Sequence, residues 1–446
     1  MKRACAVIIL AAGHGTRMKS RWPKVLHAVG GRPMLGWSVA LARDLDAERV
    51  IVVGGAHSPD VAVTAQALGA QTVVQDPPQG TGHAVQCAVP ALEGFQGDIL
   101  VVCADTPLLS ASTARTALAL LDEDTALGVL GFTPEVPGAY GRLVLAEDGV
   151  LQGIVEAKDA TPDELAISLC NSGVIAARAD QLRPLLSQIG KDNAKGEYYL
   201  TDVVALNRRA GGRGRVALAS ADEVLGVNSR GDLAAAEAAF QARARAAALE
   251  AGVTLIAPET TFFAYDTVLS PDVVVEPHVV FGPGVRVEAG AQIRAFSHLE
   301  GCQVAAGASV GPYARLRPGA EIGEDAKVGN FVEIKKARLG TGAKASHLSY
   351  IGDATVGSGA NIGAGTITCN YDGFQKHRTE IGANAFVGSN TSLVAPVQIG
   401  AGAYVGSGSV VTKTVEADEL AVARARQRNI PQWAARFRAR SGNEKD

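Results

Sequence analysis

The chain contains 446 residues, of which 47% are hydrophobic and 20% are charged, a balance that indicates a globular protein of two or three domains. A formal net charge of -3, without any block of Lys and Arg, argues against a nucleic-acid partner. The six cysteines form neither a CxxC pair nor a zinc-ligand pattern, which favours reduced thiols and a cytoplasmic protein.

Residues 1–228 alternate strand and helix patterns. The apolar runs Ala6–Leu10, Val50–Val53 and Ile99–Val102 are bounded by Gly, Asp or Pro, and helical patterns such as Ser112–Leu121 lie between them. This alternation predicts a doubly wound, Rossmann-like α/β domain whose ligands bind at the carboxyl ends of the strands. The first run is too short to span a membrane, so we interpret it as a core strand and expect no membrane partner.

A glycine-rich segment follows the first predicted strand. It reads Leu10-Ala11-Ala12-Gly13-His14-Gly15-Thr16-Arg17-Met18, and Pro23-Lys24 comes shortly after. Small residues let backbone N–H groups approach phosphates, and Arg17 and Lys24 can neutralise a triphosphate. The spacing is not that of a Walker loop. Asp105 follows a buried strand, where a metal-binding carboxylate or a simple helix cap would lie.

Residues 229–250 form a predicted connecting segment. Asp232–Glu250 consists almost entirely of Ala, Arg, Glu, Gln and Leu, which are strong helix formers. We therefore expect one long, partly solvated helix.

Aliphatic–Gly pairs recur along residues 251–446, mostly at multiples of six residues, in a series that begins near Val287. A six-residue period predicts hexapeptide repeats, which build a left-handed parallel β-helix with three hexads per coil. The repeat is predicted to stop between Ile362 and Ile381, and a loop extruded there would carry function or a subunit contact. The tail, which contains Arg424, lies outside the repeat.

A polar segment of the repeat region contains His347. Histidine is the natural general base near neutral pH, so His347 is a candidate for proton transfer. Taken alone, His347 is better interpreted as a surface residue at a coil corner than as a base.

The motifs together resemble a known family. The glycine-rich string with its later Pro-Lys is similar to the signature of sugar-phosphate nucleotidyltransferases. The strings around Gly141, Glu156, Asn171 and Asn228, and the repeat-region string from Gly329 to Gly373, resemble the bifunctional N-acetylglucosamine-1-phosphate uridyltransferase and glucosamine-1-phosphate N-acetyltransferase family. The resemblance covers essentially the whole chain and implies UTP, acetyl-CoA and the two sugar phosphates as substrates.

For the first domain the resemblance implies a uridyltransferase site in which Asp105 and Asn228 hold Mg²⁺. Relatives often have Tyr-Gly or Asn-Gly before this Asp, whereas this chain has Cys103-Ala104. The residues implied to bind the nucleotide and the sugar are Leu10, Ala11, Ala12, Gly13, Arg17, Lys24, Gln75, Gly80, Thr81, Cys103, Ala104, Asp105, Gly141, Glu156, Asn171 and Asn228.

For the repeat domain the resemblance implies an acetyltransferase site with His347 as the base, and a homotrimer. The residues implied to bind the sugar phosphate are Arg317, Lys335, Tyr350 and Asn361. Those implied to bind acetyl-CoA are Ala364, Asn370, Tyr371, Ser389, Ser407 and Arg424.

Two other classes of protein remain as alternatives. The chain could be a nucleotidyltransferase whose β-helix serves only assembly or regulation, but His347 and Lys335 would then have no purpose. It could also be a trimeric scaffold without activity, which would leave Lys24, Asp105 and Asn228 unexplained.

Overall fold

A computed structural model describes residues 3–442, and the chain divides between residues 244 and 245 into two compact units. Along the described residues, no helix is both long and apolar enough to cross a membrane.

The first unit is an α/β domain. Its strands are β1 (Cys5–Ala11), β2 (Ala28–Val29), β3 (Arg32–Pro33), β4 (Arg49–Gly55), β5 (Gln71–Gln75), β6 (Asp98–Cys103), β7 (Thr125–Phe132), β8 (Arg142–Leu145), β9 (Leu151–Val155), β10 (Cys170–Arg178) and β11 (Arg213–Leu218). Its helices are α1 (Met34–Asp44), α2 (Pro59–Ala67), α3 (Thr81–Ala88), α4 (Ala111–Ala119), α5 (Pro162–Leu165), α6 (Ala179–Leu186) and α7 (Asp202–Arg209). Short 3-10 turns lie at Thr16–Met18, Lys24–Leu26, Val89–Leu92 and Ala221–Glu223.

The main sheet has the order β11-β7-β10-β6-β1-β4-β5. β1 pairs in parallel with β4 and β6, whereas β10 runs antiparallel to β6 and β7. Alternate residues of a strand face opposite sides, so Val7 and Ile9 pack into one core and Ile8 packs into a second core on the other face. The doubly wound prediction is confirmed.

The helix α8 (Arg230–Glu250) follows the α/β domain. Asp232 caps its beginning, because one carboxylate oxygen accepts hydrogen bonds from the backbone N–H groups of Asn228 and Ser229, both at 2.9 Å. Phe240 is 7% exposed and packs with Val29 and Leu108. The part of α8 that contains Phe240 therefore belongs to the core of the first unit.

The second unit is a left-handed parallel β-helix of hexapeptide repeats, as predicted. Its early strands are β12 (Thr254–Leu255), β13 (Val268–Leu269), β14 (Val274–Val275), β15 (Val280–Phe281), β16 (Arg286–Val287), β17 (Gln292–Ile293), β18 (His298–Leu299), β19 (Cys302–Val304), β20 (Ser309–Val310), β21 (Arg315–Leu316), β22 (Ala320–Ile322) and β23 (Lys327–Asn330). The later strands are β24 (Glu333–Leu339), β25 (Lys344–His347), β26 (Tyr350–Val356), β27 (Asn361–Ile362), β28 (Ile367–Cys369), β29 (Thr379–Ile381), β30 (Phe386–Val387), β31 (Ser392–Val394), β32 (Val397–Ile399), β33 (Tyr404–Val405), β34 (Val410–Val411) and β35 (Leu420–Ala421). A 3-10 turn at Pro258–Thr260 interrupts the first coil, and the helix α9 (Trp433–Gly442) follows the last.

The β-helix starts earlier than the aliphatic–Gly pattern indicated. Leu255 and Val275 already point inward, before the aliphatic series begins at Val287. The aliphatic–Gly pattern misses these coils because Ile256 and Glu276, rather than glycine, follow the inward residues Leu255 and Val275.

The predicted interruption between Ile362 and Ile381 is shorter than expected. Strand β28 continues the ladder with Thr368, which is 1% exposed. Its hydroxyl accepts a hydrogen bond from the N–H of Gly352 at 2.8 Å and donates one to the carbonyl of Gly352 at 3.0 Å, so a polar residue fills an inward position. The inserted loop is confined to residues 370–378.

Candidate active sites

The first candidate site lies where β1 and β6 end. Leu10 and Cys103 are register partners at the carboxyl ends of these parallel strands, the usual place for a ligand in such a sheet. The cavity there, which we call the nucleotide cavity, has a volume of about 350 Å³. Its walls are formed by Leu10, Ala12, Gly13, His14, Gln75, Pro78, Gly80, Thr81, Ala84, Cys103, Asp105 and Glu197. A larger cavity of about 460 Å³ lies at the opposite ends of the same strands, near Cys5 and Asp98, and contains none of the predicted residues.

Three residues that are distant in sequence meet at this edge of the sheet. The Nζ atom of Lys24 lies 2.5 Å from Oδ2 of Asp105 and 3.1 Å from Oδ1 of Asn228. The backbone also holds them together, because the N–H of Val227 donates to the carbonyl of Asp105 at 2.8 Å. An ammonium group between a carboxylate and an amide oxygen shows that the position favours a cation.

The same oxygens fit a magnesium ion. Carboxylate and amide oxygens are hard ligands of the kind that Mg²⁺ prefers. Within residues 3–442, no group of three or more His, Cys, Asp or Glu side chains could hold a metal by itself. Any ion at Asp105 and Asn228 would therefore take its remaining ligands from phosphate oxygens and water.

The glycine-rich loop packs directly on Lys24. Gly15 has a φ of 59°, and a Cβ atom there would lie 2.6 Å from Cβ of Lys24, so glycine is required. Ala11 and Ala104 are buried in the core and could contact a ligand through backbone atoms only. Arg17 is exposed and is not among the residues that line the cavity.

The predicted base-reading residues lie on another wall of the nucleotide cavity. Gln75 is 3% exposed, and its Nε2 donates to the carbonyl of Gly80 at 2.9 Å. The hydroxyl of Thr81 accepts a hydrogen bond from the N–H of Leu200 at 3.0 Å, which anchors the segment that contains Glu197. Glu197 lines the cavity although no pattern in the sequence singled it out.

The predicted sugar-binding residues form a second group. The N–H of Asn171 donates to the carbonyl of Gly141 at 2.8 Å, and the hydroxyl of Thr201 lies 3.5 Å from Oε1 of Glu156. Burial raises the pKa of the Glu156 carboxyl. Burial also raises the pKa of Cys103 to about 12, so Cys103 contributes a neutral thiol to the cavity wall at neutral pH.

In the second unit, basic side chains gather beside the inserted loop. The guanidinium of Arg317 pairs with Glu333 at 2.7 Å. Hydrogen bonding with Lys376 and the repulsion of its charge lower the pKa of Lys335, and Arg317 adds to the repulsion. Lys335 is thus repelled by Lys376 and Arg317, and an anion beside these three side chains, here called the phosphate cluster, would relieve that repulsion. Lys376 was not predicted, because one lysine in an irregular loop has no distinctive pattern.

The inserted loop carries two further predicted residues. Asn370 is 6% exposed, and its Nδ2 donates to Asp353 at 2.5 Å and lies 3.4 Å from the hydroxyl of Tyr350. Tyr371 is exposed, and its hydroxyl donates to the carbonyl of Gly373 at 2.6 Å. Asn370 is therefore fixed beside the predicted sugar site, whereas Tyr371 projects outward.

His347 lies on β25, and Nδ1 of its ring is 2.6 Å from Oδ1 of Asn330 on β23. The predicted sugar residue Asn361 lies on the next strand of the same face, β27. Lys335 and Tyr350 belong to the neighbouring face, on β24 and β26. The corner at Leu348 and Ser349 separates these two faces of the β-helix. His347 therefore lies on one side of that corner, and the phosphate cluster lies on the other.

The predicted acetyl-CoA residues follow the coils toward the C-terminal end. The carbonyl of Ala364 accepts from the N–H of Asn390 at 2.7 Å, and that of Ser389 accepts from the N–H of Gly408 at 2.8 Å. Ser407 precedes Gly408, and a Cβ atom at Gly408 would lie 3.8 Å from Cδ of Arg424. These residues form one column along the β-helix, with the exposed Arg424 at its end.

Family models match both units, and the relatives match nearly the whole chain. Residues 7–162 match the family model of the MobA-like NTP transferase domain, and residues 378–413 match that of the bacterial transferase hexapeptide (six repeats). The chain is 64% identical to the bifunctional protein GlmU of Maricaulis maris over 98% of its own length and 97% of the relative. It is 60% identical to the same-named protein of Rhizorhabdus wittichii, again over 98% and 97%. For that of Azorhizobium caulinodans the identity is 55% over 100% of this chain and 99% of the relative.

Proposed function

This chain belongs to the family of bifunctional GlmU proteins, and on that premise we propose how its two units divide the work. The protein is a transferase with two activities in the synthesis of UDP-N-acetylglucosamine. It transfers an acetyl group from acetyl-CoA to glucosamine-1-phosphate, and it then transfers a uridylyl group from UTP to N-acetylglucosamine-1-phosphate with release of pyrophosphate. The α/β unit performs the second reaction and the β-helix performs the first.

In the uridyltransferase site, the protein aligns two anions. The sugar phosphate is already a nucleophile, so no general base is needed. The backbone of Leu10–Gly13 and the ammonium of Lys24 bind the phosphates. Gln75, Gly80 and Thr81 hold the uracil, and Gly141, Glu156 and Asn171 hold the sugar. The observation that carries this assignment is the meeting of Lys24 and Asn228 with Asp105, which lines the nucleotide cavity.

Asp105 and Asn228 would hold Mg²⁺ in this site. When bound, the ion neutralises charge that develops on the phosphate oxygens. With these two oxygens holding the ion, the ammonium of Lys24 would bind the phosphates. We assign Arg17 to the phosphates of UTP that leave as pyrophosphate, because its side chain is exposed on the loop and can reach them.

In the acetyltransferase site, the phosphate cluster binds the phosphate of glucosamine-1-phosphate, and Tyr350 and Asn361 position the sugar. The amine loses its proton to His347 as it attacks the thioester carbon, and the thiolate of coenzyme A leaves. Asn370 and Tyr371 lie by the thioester, and the column from Ala364 to Arg424 binds coenzyme A. Arg424 supplies a charge for a phosphate group.

A homotrimer would complete this site. A row of apolar side chains follows one corner of the β-helix, where each residue has a left-handed backbone angle. The rings of Phe296, Tyr313 and Phe331 stack there with centroid distances of 4.8 and 5.2 Å, and Leu348, beside His347, continues the row. Each is about half exposed, between 47% and 62%. A continuous apolar row of this kind is typical of a surface covered by a partner. A mass in solution of three times 45.9 kDa is expected.

We also assign the protein to the cytoplasm, where both co-substrates are made. All six cysteines are free thiols in the structure, which suits a reducing compartment.

One assay separates the two activities. Thiol release from acetyl-CoA should require glucosamine-1-phosphate, and pyrophosphate release from UTP should require N-acetylglucosamine-1-phosphate. Pyrophosphate release without any thiol release would instead favour a nucleotidyltransferase whose β-helix serves assembly alone.

A further inference from the structure

The side chain of Asn330 lies directly against the ring of the predicted base. Asn330 and His347 are register partners in the parallel strands β23 and β25, and Oδ1 of Asn330 is 2.6 Å from Nδ1 of His347. This separation is at the short end for an N–H···O hydrogen bond. The two side chains therefore interact as a pair across adjacent coils.

The chemistry of the amide decides which nitrogen carries the hydrogen. An amide oxygen only accepts, so the hydrogen of this bond belongs to Nδ1 of His347. In the neutral ring, Nε2 then carries the lone pair. His347 is exposed, so packing alone does not hold the ring in one orientation.

We propose that Asn330 is a positioning residue for acetyl transfer, which fixes the tautomer and the plane of the His347 ring so that Nε2 is the base. The inference rests on the proposed role of His347. During the reaction, the C–N bond to the sugar forms and the C–S bond of the thioester breaks. The amine proton moves to Nε2 and then to the departing thiolate, while Nδ1–H stays bonded to Asn330 throughout.

A neutral acceptor suits this cycle. A carboxylate in place of Asn330 would stabilise the imidazolium and slow the return of the proton to the thiolate, whereas an amide fixes the tautomer without that added charge. The side chain of Asn330 makes its hydrogen bond to His347, which is the proposed base rather than a substrate-binding residue, so its removal should leave substrate binding intact.

Kinetics of Asn330→Ala test the proposal. We expect kcat for acetyl transfer to fall roughly 10-fold or more, the usual effect of losing the partner that orients a histidine, with both KM values within about twofold of wild type. Asn330→Asp keeps an acceptor for the Nδ1–H and should recover part of the rate lost in Asn330→Ala, while staying below wild type because of its added charge. Lys327→Ala, an exposed residue on the same strand, is the matched control and should keep full activity.

The tautomer can be observed directly by ¹⁵N NMR of protein labelled at histidine, with the His347 signals assigned by their loss in His347→Ala. Wild type should show the hydrogen on Nδ1, and Asn330→Ala should gain the form with the hydrogen on Nε2. An unchanged kcat in Asn330→Ala, or a wild-type ring with its hydrogen on Nε2, overturns the proposal. An active His347→Ala would instead overturn the proposed base.

Discussion

The two units build their sites in opposite ways. In the α/β unit, Lys24, Asp105 and Asn228 come from distant parts of the sequence and meet at one edge of a sheet beside a cavity. In the β-helix, Asn330 and His347 lie at matching positions of two adjacent coils, at the surface of the repeat. A sheet edge can enclose its ligand within one chain, whereas a repeat surface presents columns of side chains that need a second surface to close them. We therefore expect the acetyltransferase site, and not the uridyltransferase site, to depend on assembly.

Asp105→Ala should produce the largest difference between the two activities. Loss of a hard oxygen ligand should cost several kcal/mol of charge stabilisation, or about 10³-fold in uridylyl transfer. Acetyl transfer should remain near the wild-type rate. Asp148→Ala, an exposed carboxylate of the same unit, is the control. Uridylyl transfer at the wild-type rate would remove Asp105 from the proposed metal site.

The complementary experiment is His347→Ala, which should remove the other activity. Loss of a positioned base typically costs about 10²–10⁴-fold, and only acetyl transfer should be affected. The fold should persist, because His347 is exposed and the inward residues Ala345 and Ile351 are unchanged. His298→Ala, in an earlier coil, should leave both rates unchanged. A rate within threefold of wild type in His347→Ala contradicts its assignment as the base.

Periodic patterns made most of the fold predictable. The apolar runs bounded by turn residues predicted β1, β4 and β6, and the six-residue repeat predicted the β-helix. The domain was placed from residue 251, but the aliphatic–Gly series began only at Val287, because Ile256 and Glu276 follow the inward residues of the first coils in place of glycine. Thr368 was missed because a hydrogen-bonded hydroxyl fills a position where the pattern expects an aliphatic side chain.

Truncation should show where the first unit ends. A fragment of residues 1–250 keeps Phe240, and also Glu237, which accepts from the N–H of Gly30 at 2.7 Å. A fragment of residues 1–229 loses both. Loss of a buried phenylalanine typically costs about 3–5 kcal/mol, so the shorter fragment should unfold at a much lower urea concentration. Phe240→Ala in the full chain isolates this contribution, and equal unfolding midpoints for the two fragments would show that α8 is dispensable for the first unit.

The sites were predictable where several motifs occur in a fixed order, and less so for single residues in loops. Lys24, Asp105 and Asn228 were named from such strings, and the structure brings them within hydrogen-bonding distance. Glu197 and Lys376 were missed, because they belong to irregular segments whose positions depend on tertiary contacts.

The smallest expected effect concerns Glu156. Burial raises the pKa of its carboxyl, so the ionised group disfavours the folded state at pH values above that raised pKa, and this penalty disappears as the pH falls and the carboxyl is protonated. Glu156→Gln should therefore melt about 2 °C above wild type at pH 8, with a smaller gap at pH 5. It should also raise the KM for the sugar phosphate in uridylyl transfer. Glu147→Gln, an exposed carboxylate, should show neither effect, and a gap that widens toward pH 5 would reverse the sign argued here.

The most direct test of two separate sites in one chain is a mixing experiment with Asp105→Ala and His347→Ala. Each variant alone, given glucosamine-1-phosphate, acetyl-CoA and UTP, should form almost no UDP-N-acetylglucosamine. A mixture should form it readily, because the acetylated sugar phosphate made by Asp105→Ala diffuses to the intact uridyltransferase site of His347→Ala. If the mixture stays inactive while both proteins are folded, or if either substitution abolishes both activities, the division of chemistry between the two units is wrong.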